Sequence, residues 1–266
     1  MVALVPKTKY AELIDELSRV ERLPRVQALS RLAFLERRID TEIGKQNIAA
    51  GERLLLKAKL AAFRGNADQV KSYSQGICSF FGSEGRWDQF NNFIMLGFVK
   101  DAYELVCEMP VEGSELSTAT WLCVSHALAG NTAKVDECVN YIERAYPKRE
   151  ANQRAQREMI YTAQKLSEFL TTIDQHVDVN AAIQAAISVS VPSTMLSLPG
   201  VAYKSSSIES CTEGGLLIDI ELTPDNESAD ELAQISINFS RKLQELLPAE
   251  VSEELLICLH FNDESV

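Results

Sequence analysis

The chain contains only three histidines, His126, His176 and His260. Acid–base chemistry at neutral pH must recruit one of them or a carboxylate, thiol or lysine of shifted pKa. His260 lies in the run "ELLICLHF", on the face opposite Leu259 and Phe261, and the run "LLIDIEL" carries Asp219 and Glu221 on one side of its alternation. If the two runs are neighbouring strands, the imidazole and the two carboxylates form a small polar site that can pass a proton. An exposed sheet face is polar in any case, so the same residues also fit a solvated surface. His126 sits inside an apolar helical pattern and is expected to be a packed residue; His176 falls at a boundary. Cys78, Cys107, Cys123, Cys138, Cys211 and Cys258 stand singly, with no C-x-x-C and no Cys/His cluster of metal-ligand spacing. They read as buried thiols, the less favoured alternative being a disulfide framework. The chain lacks G-x-x-x-x-G-K-S/T, a G-x-G-x-x-G after a strand, H-E-x-x-H and G-x-S-x-G. No catalytic residue, metal or cofactor is therefore expected.

Two further sets of residues suit recognition. Arg19, Arg22, Arg25, Arg31, Arg37 and Arg38 cluster near the N-terminus, where guanidinium groups can meet phosphates. Glu12, Asp15, Glu16, Glu21, Glu36 and Asp40 interleave with them, the pattern of a solvated helix with pairs four residues apart, and no aromatic residue accompanies the arginines as a stacking platform. Nucleic acid is accordingly not the expected partner. Trp87 and Trp121 fall on helices whose faces either build a core or offer an anchor to a partner, with Glu52, Lys59 and Asn91 as polar neighbours.

The elements that must position these residues show a period. "LAAFRGNADQV" at 60–70 and "HALAGNTAKV" at 126–135 are near-copies, and aligning them on Gly65 and Gly130 brings Gly97 between them, at intervals of 32 and 33 residues. Seven before each glycine come Ala58, Phe90 and Cys123; three before, Ala62, Ile94 and Ala127; two before, Phe63, Met95 and Leu128. Five after come Val70, Ala102 and Val135; eight after, Tyr73, Leu105 and Cys138; twelve after, Ile77, Met109 and Ile142. Steps of three and four place each set on one stripe of a helix, so the unit is a helical hairpin turned on glycine, with Asn66 or Asn131 positioned to cap the second helix. A hairpin buries its apolar face only against a neighbour, which makes about three units the minimum.

A period near 34 with glycine in the turn, a small residue five further on and a hydrophobic residue twelve further on resembles the tetratricopeptide repeat, over about residues 50–147. Gly97 with Ala102, and Gly130 with Val135, Val139, Ile142 and Pro147, carry the likeness. Ala58, Phe90 and Cys123 stand where that family has a first small glycine, and Pro110 falls four residues early. The resemblance implies an α-solenoid that recognises peptides or proteins. The alternative is an all-helical domain whose hairpins are of similar length.

Flanking stripes are helical without the period: Tyr10, Leu13, Ile14, Leu17 and Val20; Val26, Leu29, Leu32, Leu35, Ile39 and Ile43, with Pro24 in the first turn; and Met159, Ala163, Leu166 and Leu170. They suit atypical terminal units. "VDVNAAIQAAISVSV" at 177–191 starts helix-like and ends in a strand-like alternation, and its state stays open. Residues 197–215 read as a loop or weak edge strand. "LLIDIEL" then predicts a strand, Ser228 with Glu231 a capping box, Leu232, Ile235, Phe239, Leu243 and Leu246 a helix stripe ended by Pro248, and "ELLICLHF" a second strand with Leu255, Ile257, Leu259 and Phe261 on one face. Strand, helix, strand favours a parallel pair, which needs a further strand from 180–215.

The totals frame these parts. The 266 residues, 46% hydrophobic and 24% charged with mean hydropathy near zero, are those of an ordinary globular protein able to bury a large core. No apolar run reaches the roughly 18–20 residues of a membrane helix, and Pro6, Lys7 and Lys9 interrupt any secretion signal, so the cytoplasm is the expected compartment. Of the net charge of −12, residues 166–266 hold −14, with 3 basic against 17 acidic side chains. We therefore expect a mostly α protein: a helical, tetratricopeptide-like domain at 1–175, an α-solenoid of hairpins, followed by a small acidic α/β domain at 176–266. The expected function is a non-enzymatic adaptor or scaffold that binds a protein or peptide. The alternative is an antitoxin, immunity protein or secretion chaperone whose acidic unit neutralises a basic partner. An enzyme working from His260 and Asp219 is a third reading.

Overall fold

The computed structural model describes residues 8–23, 25–107, 109–147, 154–173, 177–196, 201–204, 216–224 and 227–261. Pro24, His176 and Cys211 lie outside them. The described residues form a mostly helical molecule with a small sheet near the C-terminus.

α1 (Lys9–Val20) starts where the Thr8 hydroxyl accepts from Ala11 N at 3.2 Å, and it buries Leu13, Leu17 and Val20 as expected. α2 (Arg25–Gly44) packs on α1 through Ala28, Leu32, Leu35 and Ile39. Its buried stripe therefore starts at Ala28; Val26 and Leu29 point outward. Once α2 lies against one neighbour, a single 100°-wide stripe is covered and apolar residues off that stripe stay wet.

Three helical pairs follow: α3 (Ala50–Phe63) with α4 (Ala67–Phe81), α5 (Ser83–Met95) with α6 (Val99–Val106), and α7 (Leu116–Leu128) with α8 (Thr132–Ala145). Their turns share one backbone design. Gly65, Gly97 and Gly130 have φ of 69°, 74° and 71°. In each turn the glycine N–H donates three residues back, at 2.9–3.0 Å. The following N–H (Asn66, Phe98, Asn131) donates five residues back, to Ala61, Phe93 or His126 O, at 2.9 Å. This paired closure needs a left-handed residue at the glycine, where a Cβ would collide with the carbonyl beside it. Asn66 caps α4 by accepting from Gln69 N at 3.1 Å. Asn131 makes no such bond to α8.

Val70, Ala102 and Val135, the residues five beyond each glycine, are fully buried. The equivalence fails at Met109, because α6 ends at Val106, well before Pro110 denies a backbone donor. The pairs also differ in company. α5 packs on α4 and α3, whereas α7 leans chiefly on α9 (Arg154–Thr172), and α6 is covered by α10 (Val179–Ser190). The open segment 177–191 is thus helical: Val179, Ile183, Ala186 and Ile187 are buried while Val189 is 71% exposed, which a strand face would not allow.

A 3-10 turn (Ser193–Leu196) precedes the sheet, whose order is β1 (Val201–Lys204), β2 (Leu216–Leu222), β3 (Leu255–Phe261). β1 runs antiparallel to β2, and β2 parallel to β3 with Asp219 opposite Cys258 and Glu221 opposite His260. The expected third strand is therefore β1. Between β2 and β3 come α11 (Ala229–Leu246) and a short α12 (Ala249–Glu254). The capping box at α11 forms, with Glu231 Oε2 accepting from Ser228 N at 2.7 Å. The stripe on α11 closes with Leu247, leaving Leu246 exposed, because the chain leaves the helix there and turns its next side chain inward.

Two clusters dominate the interior. One joins α1, α2 and α3 and takes in Phe63 and Met95 from the first two turns. The other runs from Ala61 through the hairpins, α9 and α10 to Leu259 on β3, so buried packing is continuous across residue 175.

Candidate functional site

Where α1, α3 and α5 meet they leave a groove of about 120 Å³. Tyr10, Ile14, Leu17 and Ser18 form one wall, Leu55 and Lys59 the second, and Asp88, Asn91 and Asn92 the third. Helical spacing explains the α1 wall, since 10, 14, 17 and 18 share a face. Lys59 is held over the groove by three contacts: its Nζ lies 2.9 Å from Glu21 Oε1, 3.7 Å from Met95 Sδ and 5.3 Å from the centre of the Phe63 ring. Asp88 stands at the rim among enough protein atoms that loss of water raises its carboxyl pKa, against the opposing pull of Lys59 and with a further push from Glu84. The Tyr10 phenol is pushed up to about 12, by burial first and then by the Asp88 and Glu52 carboxylates.

Asn92 is the unusual member. It is 2% exposed, and its Nδ2 donates to Gln89 Oε1 at 2.8 Å. The Gln89 amide in turn donates to Ser74 Oγ at 2.7 Å and Val70 O at 3.2 Å, which fixes the sense of the chain. Asn92 Oδ1 is left buried with no donor. A buried acceptor without a partner costs about 1–3 kcal/mol, so this groove wall is stabilised by any donor that reaches it.

The five residues expected to bind a partner are divided by the fold. Lys59 and Asn91 meet in the groove. Glu52 is one helical turn or more away, where its Oε2 accepts from Ala49 N at 3.0 Å at the start of α3, and only its charge reaches Tyr10. Trp87 and Trp121 are half-buried against the main core, joined through Phe90 with ring centroids 5.1 and 6.1 Å apart. Sequence reasoning missed Tyr10, Asp88 and Asn92. A signal existed for Asn92: with Gln89 it places two amides three residues apart on the stripe that also carries Phe93.

The other chemical candidates resolve as follows. His126 is buried, its Nδ1 3.3 Å from the Tyr103 hydroxyl, and burial lowers its pKa to about 4, so it is neutral at pH 7. Burial pushes the Cys78 and Cys123 thiols up and holds Cys138 at about 12, which leaves little thiolate for nucleophilic work. Cys78, Cys107, Cys123, Cys138 and Cys258 are not joined in disulfides. On the sheet, His260 Nε2 approaches Asp219 Oδ1 at 3.6 Å, with the imidazole 64% exposed. Among the described residues no group of three His, Cys, Asp or Glu side chains is placed to hold a metal, and no helix is long and apolar enough to cross a membrane.

The chain matches no family, no curated protein and no solved structure. Its own geometry carries the argument.

The N-terminal arginines gather around a second hollow, of about 610 Å³ between α1 and α2. Arg19, Arg22, Arg31 and Arg38 line it together with Glu16, and so does Phe34. An aromatic face therefore does accompany the arginines. Nor are the interleaved carboxylates spent mainly along their own helices. Glu16 pairs with Arg38, Glu21 with Lys59 and Glu36 with Arg64, each across to another helix.

Proposed function

We propose that this protein is a non-enzymatic scaffold whose hairpins form a short, tetratricopeptide-like solenoid and whose α1/α3/α5 groove takes an extended segment of a partner protein. The single observation that carries this reading is the donorless Oδ1 of Asn92 on a groove wall. A peptide N–H is a donor of the right kind, and the neighbouring Asn91 amide and Lys59 ammonium can serve the carbonyl of the same segment. The repeated glycine turns support the solenoid part of the reading. Loss of water raises the Asp88 carboxyl pKa and pushes the Tyr10 phenol up to about 12, which suits a polar peptide backbone better than a highly charged ligand. The buried, neutral His126 and the raised thiols support a role without catalysis, and five described cysteines outside any disulfide suit a reducing compartment such as the cytoplasm.

The test is capture of proteins from native lysate by the purified chain beside an Asn92→Leu variant of equal helix content. The reading expects captured proteins that the variant loses. Identical capture by both removes the groove, and a parent chain that captures nothing and remains an inert monomer removes the scaffold.

A second reading rests on Asp230, Glu231, Glu245, Glu250 and Glu253, which are exposed on α11 and α12. In it the acidic unit neutralises a basic protein, as an antitoxin, immunity protein or secretion chaperone does. Capture must then fall steeply with added salt, because exposed charges are screened within about 8–10 Å at physiological ionic strength. Salt-insensitive capture disposes of it.

A further inference from the structure

We infer that the hollow between α1 and α2 binds a nucleotide, with arginine guanidinium groups on its phosphates and the Phe34 ring against its base.

The spacing on α2 sets the site: Arg31, Phe34 and Arg38 are separated by three and four residues and share a face. Arg19 comes from the last turn of α1 and Arg22 from the turn that follows it. Val20 and Leu35 are buried beneath them and hold the two helices at a constant distance. Arg38 is committed, paired with Glu16 and 3.7 Å from Glu12. Arg19, Arg22 and Arg31 pair with no carboxylate among the described residues, since Glu21 and Glu36 turn to Lys59 and Arg64. Among the described residues a single carboxylate side chain, Glu16, therefore lines a hollow that four arginines also line.

The chemistry of this surplus selects the ligand. A guanidinium offers a planar fork of donors that matches two oxygens of a phosphate, and several forks on one hollow match a chain of phosphates. Phe34 is 63% exposed although it is a large aromatic residue, and it borders the same space. A base has a π-face to lay on such a ring, whereas a bare polyphosphate or a carboxylate does not. The volume, about 610 Å³, lies within the range of small-molecule sites, roughly 300–1,000 Å³. The chain as a whole carries −12. That charge opposes a long polyanion lying over the surface, but screening within about 8–10 Å leaves a compact anion to feel mainly the local arginines. A free nucleotide fits this balance better than a strand.

The experiment titrates ATP, inorganic triphosphate and a single-stranded oligoribonucleotide into the full-length chain by calorimetry, with circular dichroism as the check on folding. ATP is expected to bind one saturable site and to weaken as salt rises from about 50 to about 300 mM. Arg22→Ala with Arg31→Ala abolishes ATP and triphosphate binding alike, in a protein of unchanged helix content. Phe34→Ala costs about tenfold for ATP and nothing for triphosphate, because only the base stacks. No saturable ATP binding overturns the inference, as does a double-arginine variant that binds ATP like the parent. Triphosphate binding as tight as ATP overturns the role of Phe34, and an oligoribonucleotide that outcompetes ATP overturns the compact ligand. All three residues are exposed, so these substitutions leave the fold intact.

Discussion

Helix α1 is a wall shared by two hollows of opposite character. Its residues 10, 14, 17 and 18 face a small groove that contains a carboxyl with a raised pKa and a buried oxygen lacking a donor. Residues 16, 19 and 20 face a larger hollow with more guanidinium groups than carboxylates. One side needs hydrogen-bond donors and the other an anion. The difference arises because two of the carboxylates beside the arginines turn away from the hollow, while Glu12 and Glu16 both pair with Arg38. Glu21 crosses to Lys59 on α3 and Glu36 to Arg64, so the groove gains an anchored lysine while the hollow keeps three arginines that pair with no carboxylate among the described residues. Two ligands of different chemistry can then be carried on one helix without competing for the same charges.

The largest effect should come from the core that joins α1 to both α2 and α3. Leu17 of α1 is almost fully buried in that core, and Leu17→Ala removes its packing and leaves a cavity, an expected loss of about 2–5 kcal/mol in denaturant unfolding. Partner capture and nucleotide binding should weaken together; loss of only one would show that α1 is not their common support. Next comes the exchange of single-site variants. Arg22→Ala with Arg31→Ala should abolish nucleotide binding and leave protein capture as in the parent, and Asn92→Leu should do the reverse. Either variant affecting both ligands would collapse the comparison into one site.

Alkali separates the two walls more finely. The folded-state pKa of Tyr10, about 12, lies above its ordinary 10.0, so its contribution to stability is fully present below pH 10 and is lost as pH rises toward 12. The expected decrease over that window is at most about 2 kcal/mol, and Tyr10→Phe should flatten it. Arginines keep their charge throughout, so the α1/α2 hollow contributes no such slope. An unaltered slope in Tyr10→Phe would place the alkaline sensitivity elsewhere. The smallest effect is at Asp88. Loss of water raises its carboxyl pKa although the residue is exposed, so Asp88→Asn should raise stability at pH 7 only slightly. A loss of stability instead would mean that the attraction to Lys59 outweighs the loss of water.

Legibility in the sequence followed the range of the interaction. The turns at Gly65, Gly97 and Gly130 and the box at Ser228 and Glu231 were readable because each is closed by residues within five positions. Strands β2 and β3 were readable because alternate residues bury. The segment 177–191 was ambiguous because Ile187, Val189 and Val191 alternate by type, and only the position of α6 shows that Val189 faces away. Asn131 was expected to cap as Asn66 does, and its side chain makes no bond to the start of α8. Of the residues expected to bind, Lys59 and Asn91 came together, while Trp87 and Trp121 joined Phe90 against the core.

What the amino-acid order determined by itself is the helical hairpin: its period, its glycine turns and the stripes it must bury, since these depend on φ preferences and on side-chain spacing along one helix. Tertiary structure alone decided which charge meets which. Glu21 is 38 residues from Lys59 and Glu36 is 28 from Arg64. An ion pair depends on distance in space, and only the packing of α1 and α2 beside α3 brings those groups within reach and leaves Arg19, Arg22 and Arg31 without them.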